Sequence, residues 1–385
     1  MGMETIYANR DELNFPHSKE VLDSMASLET DLLSRYGELP LINALAQRHE
    51  LPEERFFLEN GIIGIIHRVF ENVISPNSRV LLPELGYPYY GRLASSMKAE
   101  AITFSFNKNN DGFSYNFEDL IEKARQSPRV MVLIDPETLG FSIKEEDLTR
   151  ALENVPPETI VMLDQAHEGF RKNHIKNVKK LVDEFPNLIV ARGFSKFYGL
   201  AGIRVAYAIC GRNIKQMINF RDHYLGFSSI SQRLAISALN SAKHYQENAV
   251  EVAKRKAHFE NAMASLGYVT YKTDNCSSIV EVPENQIDFI KSQCASAEIM
   301  IRHLGEYHPK LNNLFRITMC RKEQMARIID LFTSVSWLFG LNVRNSDAKS
   351  IMHTRDAGYT VHRKEIRCKK ANVLVGLHRG LLIKH

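Results

Sequence analysis

A single lysine lies between a serine and a glycine-bearing turn in Gly193-Phe-Ser-Lys-Phe-Tyr-Gly-Leu-Ala-Gly-Ile-Arg204, and an arginine follows that lysine eight positions later. Lys196 has the chemistry of a nucleophilic amine that condenses with an aldehyde to give a Schiff base. Ser195 and Arg204 can hold an anion beside it, the arginine through a two-pronged contact with phosphate oxygens. Gly199 and Gly202 permit a tight turn and a close backbone approach to a ligand. A Ser-Lys pair alone reads as surface loop; the whole stretch is far more specific. A second candidate lies 32 residues before Lys196, where the apolar run Val161-Met-Leu ends in Asp164-Gln-Ala-His167. Alone, Asp164 reads as a turn or cap residue; with a Ser-Lys strand at this distance, a functional reading is the better one. Arg316 stands inside the apolar stretch Leu314-Phe-Arg-Ile-Thr318. A buried arginine needs an anion, and a substrate carboxylate or an internal acid would supply it, the ligand being the preferred reading.

The elements that must position these groups follow from hydrophobic periodicity. Strands are expected at Ile102–Phe106, Val130–Ile134, Ile160–Leu163, Leu188–Ala191 and Val205–Cys210. Helices are expected at Gly61–Val73, Phe117–Ala124, Glu145–Leu152 and Ile175–Glu184. This alternation predicts an α/β fold: a three-layer αβα sandwich with a mostly parallel central sheet, its strands being continuous apolar runs buried on both faces. A helical pattern runs from Ser18 to Leu33, a shorter one from Leu39 to His49, and a long one from Ser231 to about Leu266. Strands at Tyr268–Tyr271, Ser278–Val282, Ile299–Arg302 and Phe315–Met319, with helices at Glu284–Ala295 and Arg321–Leu338, describe a smaller α+β domain. The expected division is an arm and helix over residues 1–35, a large domain over 36–240, a small domain over 241–340 and a basic tail over 341–385.

Composition excludes several classes. With 385 residues, 44% hydrophobic and 24% charged, the chain can bury a sizeable core and has ordinary globular proportions. A net charge of +4 gives no reason to expect nucleic acid. Five cysteines without a C-x-x-C pair argue against a zinc site or a disulfide framework and suit a reducing compartment. No apolar run reaches membrane-spanning length and the N-terminus has no signal core, so a cytoplasmic location is expected. Ten Lys/Arg against three acids between Arg344 and Lys384 mark the tail as solvated, and its histidines lack metal-ligand spacing. No metal site is expected anywhere.

The ordered motifs from residue 6 to 339 resemble those of fold-type-I pyridoxal-phosphate aminotransferases (the aspartate aminotransferase fold), most closely the histidinol-phosphate aminotransferase subgroup. Ile6-Tyr-Ala-Asn-Arg-Asp-Glu-Leu resembles the subgroup's Asn-Glu-Asn-Pro arm, and Arg35-Tyr-Gly its Arg-Tyr-Pro. Phe57-Leu-Glu-Asn-Gly-Ile-Ile63 resembles its Asn-Gly-Ser-Asp-Glu turn, and Leu82-Pro-Glu-Leu-Gly-Tyr87 its ring-stacking segment. The resemblance implies pyridoxal 5'-phosphate as cofactor, an amino acid and a 2-oxo acid as substrates, and a homodimer with shared sites. It implies Lys196 as the cofactor lysine, which also shuttles a proton during transfer, and Asp164 on the pyridine nitrogen, keeping the ring an electron sink. Tyr87 would cover the ring. Phosphate would be held by Ser195, Arg204, the Gly61, Ile62 and Ile63 amides at a helix start, and Tyr36 from the partner subunit. Arg316 would take the substrate carboxylate, with Asn9 near the substrate.

Three positions depart from the family pattern. The Asn-Pro-x-Asn-Pro-Thr-Gly stretch, whose asparagine donates to the cofactor's phenolate oxygen, is Asp135-Pro-Glu-Thr-Leu-Gly140 here. Aligned on the glycine, Glu137 takes the asparagine's place; aligned on the proline, Asp135 does. An ionised carboxylate would repel the phenolate, whereas a protonated one would donate to it. The family's Asp-x-Ala-Tyr is Asp-Gln-Ala-His, so His167 replaces the tyrosine, as in related oxoamine synthases. The helix-start turn has no Ser/Thr hydroxyl for phosphate. A transaminase is the expected activity; a decarboxylase, lyase, cyclase or oxidase of the same fold, or a non-catalytic descendant, is the alternative.

Overall fold

The computed structural model describes residues 4–171, 177–219 and 226–340. The chain divides into two units, Met1–Leu341 and Asn342–His385. The basic tail and the first residues of the helix expected from Ile175 lie outside the described residues.

A seven-stranded sheet forms the framework. Its strands, in spatial order, are Phe56–Glu59, Ala206–Cys210, Leu188–Gly193, Ile160–Asp164, Val130–Ile134, Arg79–Pro83 and Glu100–Phe104. Ala206–Cys210 is antiparallel to both neighbours, and all the other pairings run parallel. The middle strands are apolar end to end because helices cover both faces: Val130–Ile134 and Ile160–Asp164 are buried at every position. The three-layer α/β architecture expected from the sequence is the one observed.

One covering helix, Gly61–Val73, follows directly from its sequence. Ile65, Ile66, Val69, Phe70 and Val73 recur at helical spacing and are buried against Val132, Met162, Ile189 and Ala208 of the sheet. Phe117–Ala124 and Glu145–Glu153 also stand where periodicity put them. Four differences have local causes. The sequence reading has no strand at Phe56–Glu59 or Arg79–Pro83, each too short to show a period. The expected strand Ile102–Phe106 ends at Phe104, and Phe106–Asn109 turns into a hairpin with Gly112–Tyr115. The expected single helix after Ser231 is two, Ser229–Asn240 and Ala242–Ser265. At the break, the Ser241 hydroxyl turns back to the Ser237 carbonyl and to Glu20. The helix expected over Ser18–Leu33 is Lys19–Ala26, with Ser18 as its side-chain cap, followed by a single 3-10 turn at Thr30–Leu33.

A five-stranded sheet has the order Ile6–Ala8, Ile299–His303, Leu314–Thr318, Ser277–Glu281 and Val269–Tyr271. The helices Ile287–Ser296 and Lys322–Phe339, together with the long helix, pack on it around Phe259, Phe315 and Phe332. The N-terminal arm thus opens as an edge strand of this sheet, parallel to Ile299–His303. It then continues along the carboxyl edge of the larger sheet.

Candidate active site

Parallel strands deliver their next residues to one edge of a sheet, and here that edge gathers the chemistry. Asp164 ends its strand opposite Ala191, and Lys196 stands three residues beyond the end of that neighbouring strand. The 135–140 loop follows the strand on the other side, tied in by the Asp135 N–H to the Asp164 carbonyl at 2.8 Å. Lys196, Asp164 and His167 are therefore brought together, and the Lys196 charge lowers the proton affinity of both the others.

Asp164 is buried and accepts two hydrogen bonds, from the Tyr90 hydroxyl to Oδ2 at 2.8 Å and from the Ala166 N–H to Oδ1 at 2.9 Å. Burial raises its pKa above the ordinary carboxylate value, against both bonds and the nearby lysine. His167 is buried, and its Nδ1 has no partner among the described residues. Burial pulls its pKa down to about 4, so it is neutral at neutral pH and its 3.9 Å approach to Asp11 is no ion pair. Tyr87 keeps about a third of its surface exposed and stacks on Tyr89 at 6.1 Å between centroids.

The two acids that competed for the family's asparagine position separate clearly. Asp135 is wholly buried and fully engaged: Arg171 Nη1 lies 2.8 and 2.7 Å from its two oxygens, and the Ile143 N–H donates to Oδ1 at 2.9 Å. Glu137 is equally buried, and its Oε2 accepts from the Leu139 N–H at 2.6 Å. Its Oε1 has no partner among the described residues and faces Gly86, where a Cβ would come within 3.1 Å of it. Burial raises the Glu137 pKa to about 8, against the Leu139 N–H and Arg316. At neutral pH it is a protonated acid with a proton to donate.

An anion cradle stands at the start of Gly61–Val73. The preceding Asn60 makes no side-chain cap, so the first helical N–H groups keep their donors for a ligand. Gly61 has φ of +75°, and the Arg204 guanidinium fills the space where its Cβ would be. Arg204 is held over that turn by the carbonyls of Ala201 at 3.0 Å and Asn60 at 3.4 Å, with no carboxylate among the described residues in contact. Ile62 packs on Gly193, just before Ser195. Ser195 itself lines a cleft of about 590 Å³ with Glu12, Asn14, Gly199 and Gly202. Tyr36 is 78% exposed and stands apart from all of these in the single chain.

Three residues that sequence reasoning did not single out enter the site. The arm carries Arg10 over the lysine, its carbonyl accepting from Lys196 Nζ. Asp11, buried with φ of +55°, reaches Arg316: Oδ2 lies 3.1 Å from Nη2. Tyr90, the partner of Asp164, is the third. Arg316 is buried on its strand, gives Nη1 to the Thr138 carbonyl at 3.4 Å and, among the described residues, leaves Nε without a partner. Asn9 is also buried, its Oδ1 likewise unpaired among the described residues.

The comparisons with known proteins agree with this geometry. The family model for aminotransferase class I and II matches residues 6–332. A histidinol-phosphate aminotransferase of Symbiobacterium thermophilum is 25% identical over 74% of this chain and 77% of its own. That of Citrifermentans bemidjiense is 26% identical over 84% and 90%. Among solved structures, the histidinol-phosphate aminotransferase of Sinorhizobium meliloti in complex with pyridoxal-5'-phosphate superposes with a TM-score of 0.78. It is 21% identical and covers 87% of this chain and 91% of that one.

Proposed function

The chain belongs to the aminotransferase class I and II family, and from that premise we propose that it is a pyridoxal-phosphate-dependent transaminase, moving an amino group between an amino acid or similar amine and a 2-oxo acid. The observation that carries this reading is the Arg204 guanidinium over Gly61 at an uncapped helix start, beside the strand that leads to Lys196. That arrangement fits a phosphate. Across the edge, the unpaired Glu137 Oε1 and His167 Nδ1 are buried polar atoms that fit a polar ring. The bound cofactor would supply an aldehyde and an electron-accepting ring.

The residues divide the remaining work. Lys196 is the amine for the aldehyde and, once displaced, holds and moves the proton at the substrate's reacting carbon. Asp164, positioned by Tyr90, is the carboxylate for the ring nitrogen. Tyr87 covers the ring face. Protonated Glu137 and neutral His167 are the donors for the phenolate oxygen; Asp135, locked by Arg171, is left with a structural part. Ser195, Arg204 and the Gly61–Ile63 amides bind phosphate, and Arg316, with Asn9 nearby, is the guanidinium for a substrate carboxylate.

A homodimer with shared sites is part of this proposal. It is supported by the exposure of Tyr36 together with Leu22, Met25 and Leu33, an apolar surface a second copy would cover. The division into a large domain ending near residue 240 and a small one ending near 340 is likewise proposed, each having its own sheet. No helix among the described residues is long and apolar enough to cross a membrane. A cytoplasmic location is proposed from this and from the four buried free cysteines at Cys210, Cys276, Cys294 and Cys320.

Reconstitution tests the reading. Wild-type protein mixed with pyridoxal phosphate should gain absorbance at the visible edge that the Lys196→Ala protein lacks, and turnover of an amino acid should require a 2-oxo acid. A wild type that never acquires the absorbance overturns the proposal; turnover without any 2-oxo acid would point to a decarboxylase or lyase instead.

A further inference from the structure

We propose that Asp11 is a specificity-determining residue that occupies the carboxylate seat at Arg316, so that a carboxylate substrate binds only by displacing it. This rests on the reading of Arg316 as the substrate's guanidinium. Asp11 arrives from the N-terminal arm, far from Arg316 in sequence, and its Oδ2 lies 3.1 Å from Arg316 Nη2. The surroundings form a receptor for it. Its N–H donates to Thr318 Oγ1 at 3.0 Å, the same hydroxyl lies 3.2 Å from its Oδ1, and the Ser277 hydroxyl donates to that oxygen as well. Those partners stand on the adjacent strands Ser277–Glu281 and Leu314–Thr318, the second of which also carries Arg316. Asp11 accepts a positive φ to reach this seat.

A buried arginine must be neutralised, and an internal carboxylate does this without a ligand. The pairing is nevertheless incomplete. Asp11 engages one terminal nitrogen, and the Nε of the guanidinium has no hydrogen-bond partner among the described residues. A substrate carboxylate could make the two-pronged contact that Asp11 does not, which is the more favourable geometry. Displacing Asp11 would also lift Arg10, whose carbonyl accepts from Lys196, and so uncover the lysine in the same movement. The arm would thus open only to a molecule bearing a carboxylate at the right distance from its reacting carbon.

The test uses 2-oxoglutarate as the probe, titrated calorimetrically into protein reconstituted with pyridoxal phosphate. Asp11→Asn keeps the shape and an oxygen for the Ser277 and Thr318 hydroxyls but removes the competing charge. It should bind 2-oxoglutarate roughly tenfold or more tightly than wild type, because the substitution leaves Arg316 unpaired until the ligand arrives. The gain should vanish in the Asp11→Asn/Arg316→Gln double variant. In the wild type, amide exchange over residues 6–13 should speed up when 2-oxoglutarate binds, a measurement that needs no variant to fold. Equal or weaker binding by Asp11→Asn, a gain that survives in the double variant, or an arm that stays protected with 2-oxoglutarate bound each overturn the proposal. Cofactor absorbance is read on the same samples: its absence overturns the transaminase reading, while the titration and the exchange decide on Asp11 in either case.

Discussion

The Tyr90 hydroxyl donates a 2.8 Å hydrogen bond to Asp164 Oδ2, and both side chains are buried where the sheet's carboxyl edge begins. The bond favours the ionised form of an acid that burial pushes toward the neutral one. Tyr90→Phe should therefore raise the Asp164 pKa further and lose activity most steeply on the acid side, where a raised pKa protonates the acid first. It should also cost about 1–3 kcal/mol of stability, since Oδ2 is left buried without a donor. A pH–rate profile and a thermal melt check the two effects; a profile whose acid limb does not move upward would refute the assigned role.

Gly61 combines a positive φ with the Arg204 guanidinium packed where its side chain would go. Gly61→Ala should strain the turn and push Arg204 off the helix start. Affinity for pyridoxal phosphate is expected to fall by roughly tenfold or more, while affinity for pyridoxal without its phosphate stays unchanged. Fluorescence titration with both compounds measures the difference. Equal losses for the two would place Arg204 outside the phosphate site.

The readable parts of this chain are those in which local chemistry has one solution. Val130–Ile134 and Ile160–Asp164 could be read because strands covered on both faces must be apolar throughout, and Gly61–Val73 because its isoleucines fall on one helical face. That Lys196 and Asp164 reach one sheet edge was legible from the glycine-bearing motif and the 32-residue interval together, while their roles came from the family resemblance. The occupant of Arg316 was not, although the need for an anion was. Any acid in the chain could have met that need, and only the fold carries Asp11 to it. The choice between Asp135 and Glu137 was equally closed to sequence, because it turns on Arg171 reaching one of them and not the other. Tyr90 was hidden by Tyr87 and Tyr89, whose residue type it shares.

Arg171 and Asp135 form a buried ion pair beneath the site, with Asp135 fully inaccessible. Arg171→Met keeps the bulk but leaves the carboxyl without its cation. The expected loss of stability is about 3–5 kcal/mol, the cost of stranding a buried charge. The Arg171→Met/Asp135→Asn double variant should recover much of it, since both charges are then gone. Urea unfolding of the four proteins closes the cycle. A double variant no more stable than the single one would mean that the pair contributes little as a pair.

Glu137 makes a sharper claim, because its proton should be visible in stability. The folded protein holds that proton up to about pH 8, whereas the unfolded chain releases it near the ordinary glutamate value of 4.5. From about pH 4.5 upward the unfolded state binds fewer protons than the folded one, so this group costs stability progressively until about pH 8 and by a constant amount beyond. Glu137→Gln presents the same shape with nothing to titrate. In cofactor-free protein its stability relative to wild type should rise across that window, by on the order of a few kcal/mol in total. Urea melts at intervals from pH 5 to 9 give the curve. A difference that stays flat across the window would mean Glu137 is ionised in the folded protein, and so could not donate to a phenolate oxygen.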